Sequence, residues 1–249
     1  SSIEISATDL VLSGTQWVTE PNPTGGDCTQ VGTWNADTKT CTLTVDIVTA
    51  DYIPAIKLGQ AIWGSNYSGE ATTENITIDG NGHTITGTGG GGTSHAGVYF
   101  YKTNFPTVKN LIIEDFYYGI SSHQTSGVTI TGNTIKNAHA GIVAGGQGGT
   151  CPNCGSGIVI TDNIIENSGK YTGSSSIHVT NFQGDGTCNT SIPYFIDLSE
   201  VGSPPGNNPT PVTIKGNTIT DGSGWGITLD AAGPPGNNPT PVTIKGNTI

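Results

Sequence analysis

The sequence predicts an all-β solenoid of stacked short strands, and three observations carry that prediction. First, Pro204–Ile219 reads PPGNNPTPVTIKGNTI, and Pro234–Ile249 repeats the same sixteen letters thirty residues on. Second, weaker copies of the same pattern recur upstream, each an alternation of Val, Ile and Thr broken by Gly, Asn or Asp. Third, the composition suits little else. The 249 residues include 38 Gly and 14 Pro, only 11% are charged, and Met and Arg are absent. Gly interrupts nearly every window, so no apolar stripe with the 3.6-residue period of a helix persists.

Taken in order, residues 1–70 carry no clear repeat and read as an N-terminal cap with the first irregular coils. A solenoid needs such a cap, because an open end exposes unpaired strand edges and apolar faces. Residues 71–249 carry the repeats: Ile76–Ile85, Val108–Ile113, Val128–Ile135, Ile158–Ile165 and the two C-terminal units. Aligning the later copies on asparagine gives a ladder of Asn110, Asn133, Asn163, Asn217 and Asn247, with steps of 23, 30, 54 and 30 residues. The long step marks an excursion of the chain at about 180–211. Each ladder asparagine sits at a bend between two strands, where its amide meets its equivalents above and below. A second short apolar signal follows it, at Gly119-Ile120, Gly141-Ile142, Ser176-Ile177 and Gly226-Ile227. One unit cannot bury its inner face alone; a stack can.

These ITGNTI-like repeats resemble the pectate-lyase-like superfamily of right-handed parallel β-helix proteins, over roughly residues 75–249. The resemblance implies a right-handed, single-stranded parallel β-helix of about eight rungs, ~35–40 Å long at ~4.8 Å a rung. The segment Gly32-Thr-Trp-Asn to Cys41-Thr-Leu-Thr looks like the non-repetitive start of extracellular members. The superfamily spans lyases, hydrolases, epimerases, phage spikes, adhesins and surface-layer proteins, so its repeats speak for fold before function.

Charge and cysteines narrow the setting. Eight lysines against 19 acidic residues give a net charge of −11, which excludes nucleic acid as a partner, since that needs clustered cations. No apolar run reaches the ~20 residues of a membrane span. The chain opens at Ser1 without methionine and reads as a processed product or an excised piece. Cys28 and Cys41 lie 13 apart and suit a disulfide in the cap. Cys151-Pro-Asn-Cys154 lacks the βαβ setting of a redox motif. Counted from Ile142 and Ile177, Cys151, Cys154 and Cys188 fall at similar distances, so Cys188 is expected to bridge to Cys151 or Cys154 on the neighbouring rung. Asn66, Asn75 and Asn189 begin glycosylation sequons. Together these features point to an extracellular or cell-surface protein.

For chemistry, the resemblance implies that lyase relatives combine Ca²⁺-binding aspartates with a catalytic Arg or Lys. The arginine version is impossible here, and the Asn-Thr-Asp, Asp-Asp and Gly-His-Gly motifs of the pectin hydrolases do not occur. No catalytic residue and no metal ligand set is assigned; no cofactor is expected, and Ca²⁺ is the one ion the resemblance would admit. Lys136 and Glu166 share a register and read as an exposed cross-rung ion pair. Glu114 and Asp115 point to opposite faces. The five histidines, His83, His95, His123, His139 and His178, are scattered. His83 reads as a turn residue, and a metal site from His123 with His139 would require both to meet on one face. Some relatives are copper-associated, but no Met or His/Cys cluster supports that here. Eight residues past the ladder lie Tyr118, Gly141, Tyr171 and Trp225, beside a polar row of Glu114, Asn137, Asn167 and Asp221. Tyr118, Tyr171 and Trp225 are therefore candidate carbohydrate contacts.

The resulting expectation is a non-catalytic extracellular structural or surface protein, assembling into filaments or arrays or serving in adhesion. The alternative is a polysaccharide-active enzyme or a carbohydrate-binding module on the outer face. The last rung, with Ile244 and Ile249, reads as an assembly edge covered by another copy or by further repeats.

Overall fold

Strands of two to eight residues are what this sequence permits, because a Gly, Asn or Asp that tolerates left-handed backbone follows most of the short Val/Ile/Thr runs. In the computed structural model, residues 2–5, 10–12, 28–49, 54–59, 73–89, 95–101, 103–123, 125, 127–145, 157–169, 175–182, 212–222, 224–232 and 242–249 are described. Their strands stack into three sheets of 8, 7 and 7 strands, plus one two-stranded pair.

Following one coil, the first sheet contains Thr40–Leu43, Thr77–Asp79, Thr107–Lys109, Thr129–Thr131, Val159–Thr161, Val212–Lys215 and Val242–Lys245. The second contains Ser2–Ile5, Asp46–Thr49, Thr84–Thr86, Ile112–Glu114, Thr134–Lys136, Ile164–Glu166 and Thr218–Thr220. The third contains Leu10–Leu12, Ile56–Gly59, Ala96–Tyr101, Tyr118–His123, Ala140–Gly145, Ser175–Phe182 and Trp225–Ala232. All of these pair in parallel with the rung before and after. Strands from the first 70 residues thus already stand in the stack. The exception in direction is Gly32–Asn35, which lies antiparallel to Thr40–Leu43 and ends the first sheet. The short helix Cys28–Val31 precedes it, tied down by the Cys28–Cys41 disulfide that the spacing anticipated.

Alternation decides the core. The middle residue of each three-residue strand points inward, so Ile78, Val108, Ile130, Ile160 and Ile214 form one fully buried column. Ile85, Ile113, Ile135, Ile165 and Ile219 form a second, and Ile120, Ile142, Ile177 and Ile227 a third, each in direct register. Burying one such side chain is worth ~1.5–3 kcal/mol, and like residues one rung apart leave no gaps.

The bends also form columns. Asn110, Gly132, Asp162, Gly216 and Gly246 have φ between 54° and 68°, and Asp115, Asn137, Asn167 and Asp221 between 50° and 63°. A third column is Asn75, Phe105, Gly127 and Gly157, also left-handed. Phe105 is the outlier there, a bulky side chain at φ 52° with its ring 54% exposed.

These columns correct the sequence alignment at three places. Val108 pairs with Ile130, a step of 22 rather than 23, so Asn110 aligns with Gly132 and belongs to the bend. The residue aligned with Asn133 is Leu111. Glu114 pairs with Lys136 inside a strand, and Asp115 takes the bend position assigned to it. Tyr118 pairs with Ala140, not Gly141.

Candidate functional site

The most ordered polar feature is the asparagine ladder, running through Asn133, Asn163, Asn217 and Asn247. Each residue's backbone N–H and side-chain amide both donate to the Oδ1 of the next asparagine, at 3.0 Å from Asn133 and Asn163 and 2.9 Å from Asn217. The second amide hydrogen goes to a main-chain carbonyl of the preceding rung: Val108, Ile130, Ile160 or Ile214, at 3.0–3.1 Å. Asn133, Asn163 and Asn217 are buried, so these bonds replace water that is not there. The ladder starts at Leu111, whose N–H donates to Asn133 Oδ1. Asn110 instead donates its amide to Asp79 at the surface, 3.1 Å away.

A second, outer amide row follows the next bend. Asn167 donates to Asn137 at 2.7 Å, and Asn137 to Asp115 at 3.0 Å. Beside it Lys136 lies 3.6 Å from Glu114 and 3.8 Å from Glu166, so the expected Lys136–Glu166 pair is one half of a three-rung ion row. Lys109 meets Asp79 at 3.1 Å. Burial works to raise the Asp79 pKa, but hydrogen bonds from Asn110 and the Asn81 backbone, with Lys109, outweigh it and hold the carboxyl below its ordinary value. Asp46 is lowered by the Thr84 backbone N–H and by His83, whose Nδ1 lies 3.0 Å away. His83 is thus a turn histidine with a carboxylate partner.

The sequence-predicted aromatics do not make a continuous stack. Tyr118 and Trp225 occupy one column, but Ala140 and Ser175 separate them. Tyr118 packs edge-on against Tyr117, with ring centroids 4.8 Å apart. Desolvation, with Tyr117 adding to it, pushes its hydroxyl pKa up to about 12. Trp225 is 43% exposed. Tyr171 lies outside the described residues, as do Cys151, Cys154, Cys188, Asn66 and Asn189 and most of the 180–211 excursion. Asn75 is exposed, on a left-handed bend.

Two arrangements were not foreseen. Tyr117 stacks on His139, with centroids 4.2 Å apart and planes 13° from parallel. On the outer side of the third sheet, His123 Nε2 lies 2.8 Å from Ser121 Oγ, and its ring packs 5.3 Å from Tyr99. Ser121 and His123 are two residues apart on one strand, so period-2 counting could have paired them. The signal was hidden because both faces of this strand are buried. His139 stands before the third strand of its coil and His123 at the far end of such a strand, so they do not meet. Among the described residues, no three His, Cys, Asp or Glu side chains are grouped to hold a metal.

Burial lowers the His123 pKa from 6.5 to about 4. Between those values the unfolded chain binds a proton that the folded chain refuses, so stability falls as the pH drops through this window, and this contribution levels off below it. The lowered carboxyls of Asp46 and Asp79 act lower still, at and below 3.8. Urea unfolding at about pH 7, about pH 5.5 and about pH 4.5 should show the fall, and His123→Gln should reduce it, leaving the share of His139, whose pKa burial also lowers. An unchanged slope in that variant would contradict the assignment.

Residues 96–249 match the family model described as the right handed beta helix region, and the chain belongs to that family. No curated protein and no solved structure matches it. Among the described residues, no helix is long and apolar enough to cross a membrane.

Proposed function

We propose that this β-helix is a non-catalytic structural rod of an extracellular or cell-surface protein, used for assembly or adhesion through its ends. The observation that carries the reading is how its surface charges are used. Lys136 is shared between Glu114 and Glu166, Asp79 is bound by Lys109 and Asn110, and Asp115 is bound by Asn137. Each of these groups ties one rung to the next. A glycosidase needs instead a pair of carboxyl groups about 5–9.5 Å apart and turned toward a substrate. The Cys28–Cys41 disulfide, the acidic balance and the exposed sequon at Asn75 support an oxidising, extracellular setting.

The specific observation that favours carbohydrate contact instead is the exposed side of Trp225, four residues along the chain from the bend residue Asp221. One experiment separates the readings. Electron microscopy of the purified chain should show rods joined end to end, and incubation with a panel of neutral and uronic-acid polysaccharides should give no new reducing or unsaturated ends. Polysaccharide cleavage by monomeric particles would overturn the structural reading.

A further inference from the structure

We propose that Asn75 carries an N-linked sugar and that the ring of Phe105, one rung on, is the platform on which that sugar packs. The inference rests on the extracellular setting of the reading above and not on its assembly.

Register puts the two residues together. Thr73 and Glu74 pair with Thr103 and Asn104, and Thr77 pairs with Thr107, so one offset of 30 residues holds on both sides. Asn75 therefore stands directly behind Phe105, and Ile76 behind Pro106. The Thr107 N–H donates to the Ile76 carbonyl at 2.9 Å. Neighbouring rungs are ~4.8 Å apart, so a sugar joined to Asn75 begins one rung from the ring. Asn75-Ile76-Thr77 is a glycosylation sequon, and Asn75 is exposed on its bend at φ 56°. An exposed bend has room for a bulky polar substituent.

Phe105 is the residue that needs a reason. Among the described residues it is the one apolar side chain at positive φ, 52°, in a bend column otherwise made of Asn75, Gly127 and Gly157. Left-handed backbone is unfavourable for a bulky L-residue, and the following Pro106 favours extended backbone at this position. One edge of the ring crosses the place that a Cβ would take at Gly127, so the next rung makes room for it. Even so Phe105 is 54% exposed and takes no part in the buried core. Strain of this kind persists where it places a side chain for use, and the sequon one rung behind supplies the use. The ring of a sugar carries C–H groups on one face and hydroxyls at its edge. The first suits an aromatic ring, and the second stays in water.

Ile76 is buried, so the sugar is added before this rung closes. Transfer forms the bond from Asn75 Nδ2 to C1 of the sugar and breaks the C1–O bond to a lipid-diphosphate donor. The lipid diphosphate leaves with the bonding electrons, and the amide gives up one proton.

The test secretes the chain from cells whose export pathway carries out N-glycosylation and reads its peptides by mass spectrometry. Asn75 should be occupied. Thr77→Val keeps a β-branched residue in the strand, removes the hydroxyl of the sequon and should leave Asn75 bare. Urea unfolding then compares the two chains with and without Phe105→Gly, a change the bend accepts at Gly127 and Gly157. Losing the sugar should raise the unfolding constant about two- to tenfold more when Phe105 is present, the size of one aromatic contact. In NMR spectra the C–H protons of the first sugar should show upfield ring-current shifts that Phe105→Gly abolishes. A bare Asn75 in the secreted chain overturns the inference, as does a sugar whose protons and effect on unfolding are indifferent to Phe105→Gly. End-to-end rods of a chain bare at Asn75 would overturn it while leaving the rod reading intact; monomers with the sugar seated on Phe105 would do the reverse.

Discussion

Replacing Gly119 with valine is expected to destabilise the protein by at least ~3 kcal/mol. A Cβ at this position would lie 2.5 Å from the carbonyl oxygen of Gly141 and 2.5 Å from Cγ2 of Ile135. The first is main chain of the next rung and the second is core, so neither can yield without breaking the register. The same interlock recurs one rung either side. At Gly97 a Cβ would be 2.4 Å from Ile113 Cγ2, and at Gly141 it would be 2.6 Å from the Ser176 carbonyl oxygen. The glycine opening the third strand thus makes room for the isoleucine of the second. Gly226→Ala is the milder control, because only side-chain atoms of Ile249 crowd it, the nearest at 2.7 Å. Denaturant unfolding measures both. A cost below ~1 kcal/mol at Gly119, or a larger one at Gly226, would contradict this packing.

Asn163→Ala should cost ~1–3 kcal/mol, the range for leaving a buried polar group without its partner. Its Oδ1 accepts from the Asn133 backbone and amide, and its own amide donates to the Ile130 carbonyl and to Asn217. Truncation leaves the buried Asn133 backbone N–H without its acceptor and takes a donor from the Ile130 carbonyl, while Asn217 Oδ1 keeps the Asn163 backbone N–H. Asn110→Gly keeps the left-handed bend that Gly132 and Gly216 make on other rungs, removes only an exposed bond to Asp79 and should cost well under ~1 kcal/mol. Equal effects at the two sites would mean that the ladder is not what joins the rungs.

The comparison of Asn110 with Asn163 also shows how far the sequence could be read. Two adjacent bend positions make different demands. The first must adopt left-handed backbone, which Gly132, Asp162 and Gly216 do; the second must offer a carboxamide, as Asn133, Asn163 and Asn217 do. Asparagine satisfies either, so aligning on the letter placed Asn110 in the ladder, one residue from Leu111. The same slip moved Glu114 into the bend and matched Tyr118 with Gly141. The rungs themselves, with their Val/Ile columns and the Cys28–Cys41 bond, were legible because spacing and alternation alone determine them. The Ser121–His123 pair was not, since a strand buried on both faces loses the inside–outside contrast that alternation relies on.

Amide hydrogen exchange read by NMR tests the central claim, that a buried asparagine ladder fastens in-register rungs into one rod. The backbone N–H groups of Leu111, Asn133 and Asn163 should be among the slowest to exchange, opening only when the whole chain unfolds. In the isolated chain the N–H of Asn247, at the forward end, should exchange orders of magnitude faster. Rapid exchange at Asn133 and Asn163, comparable with that at Asn247, would contradict the ladder and the rod built on it.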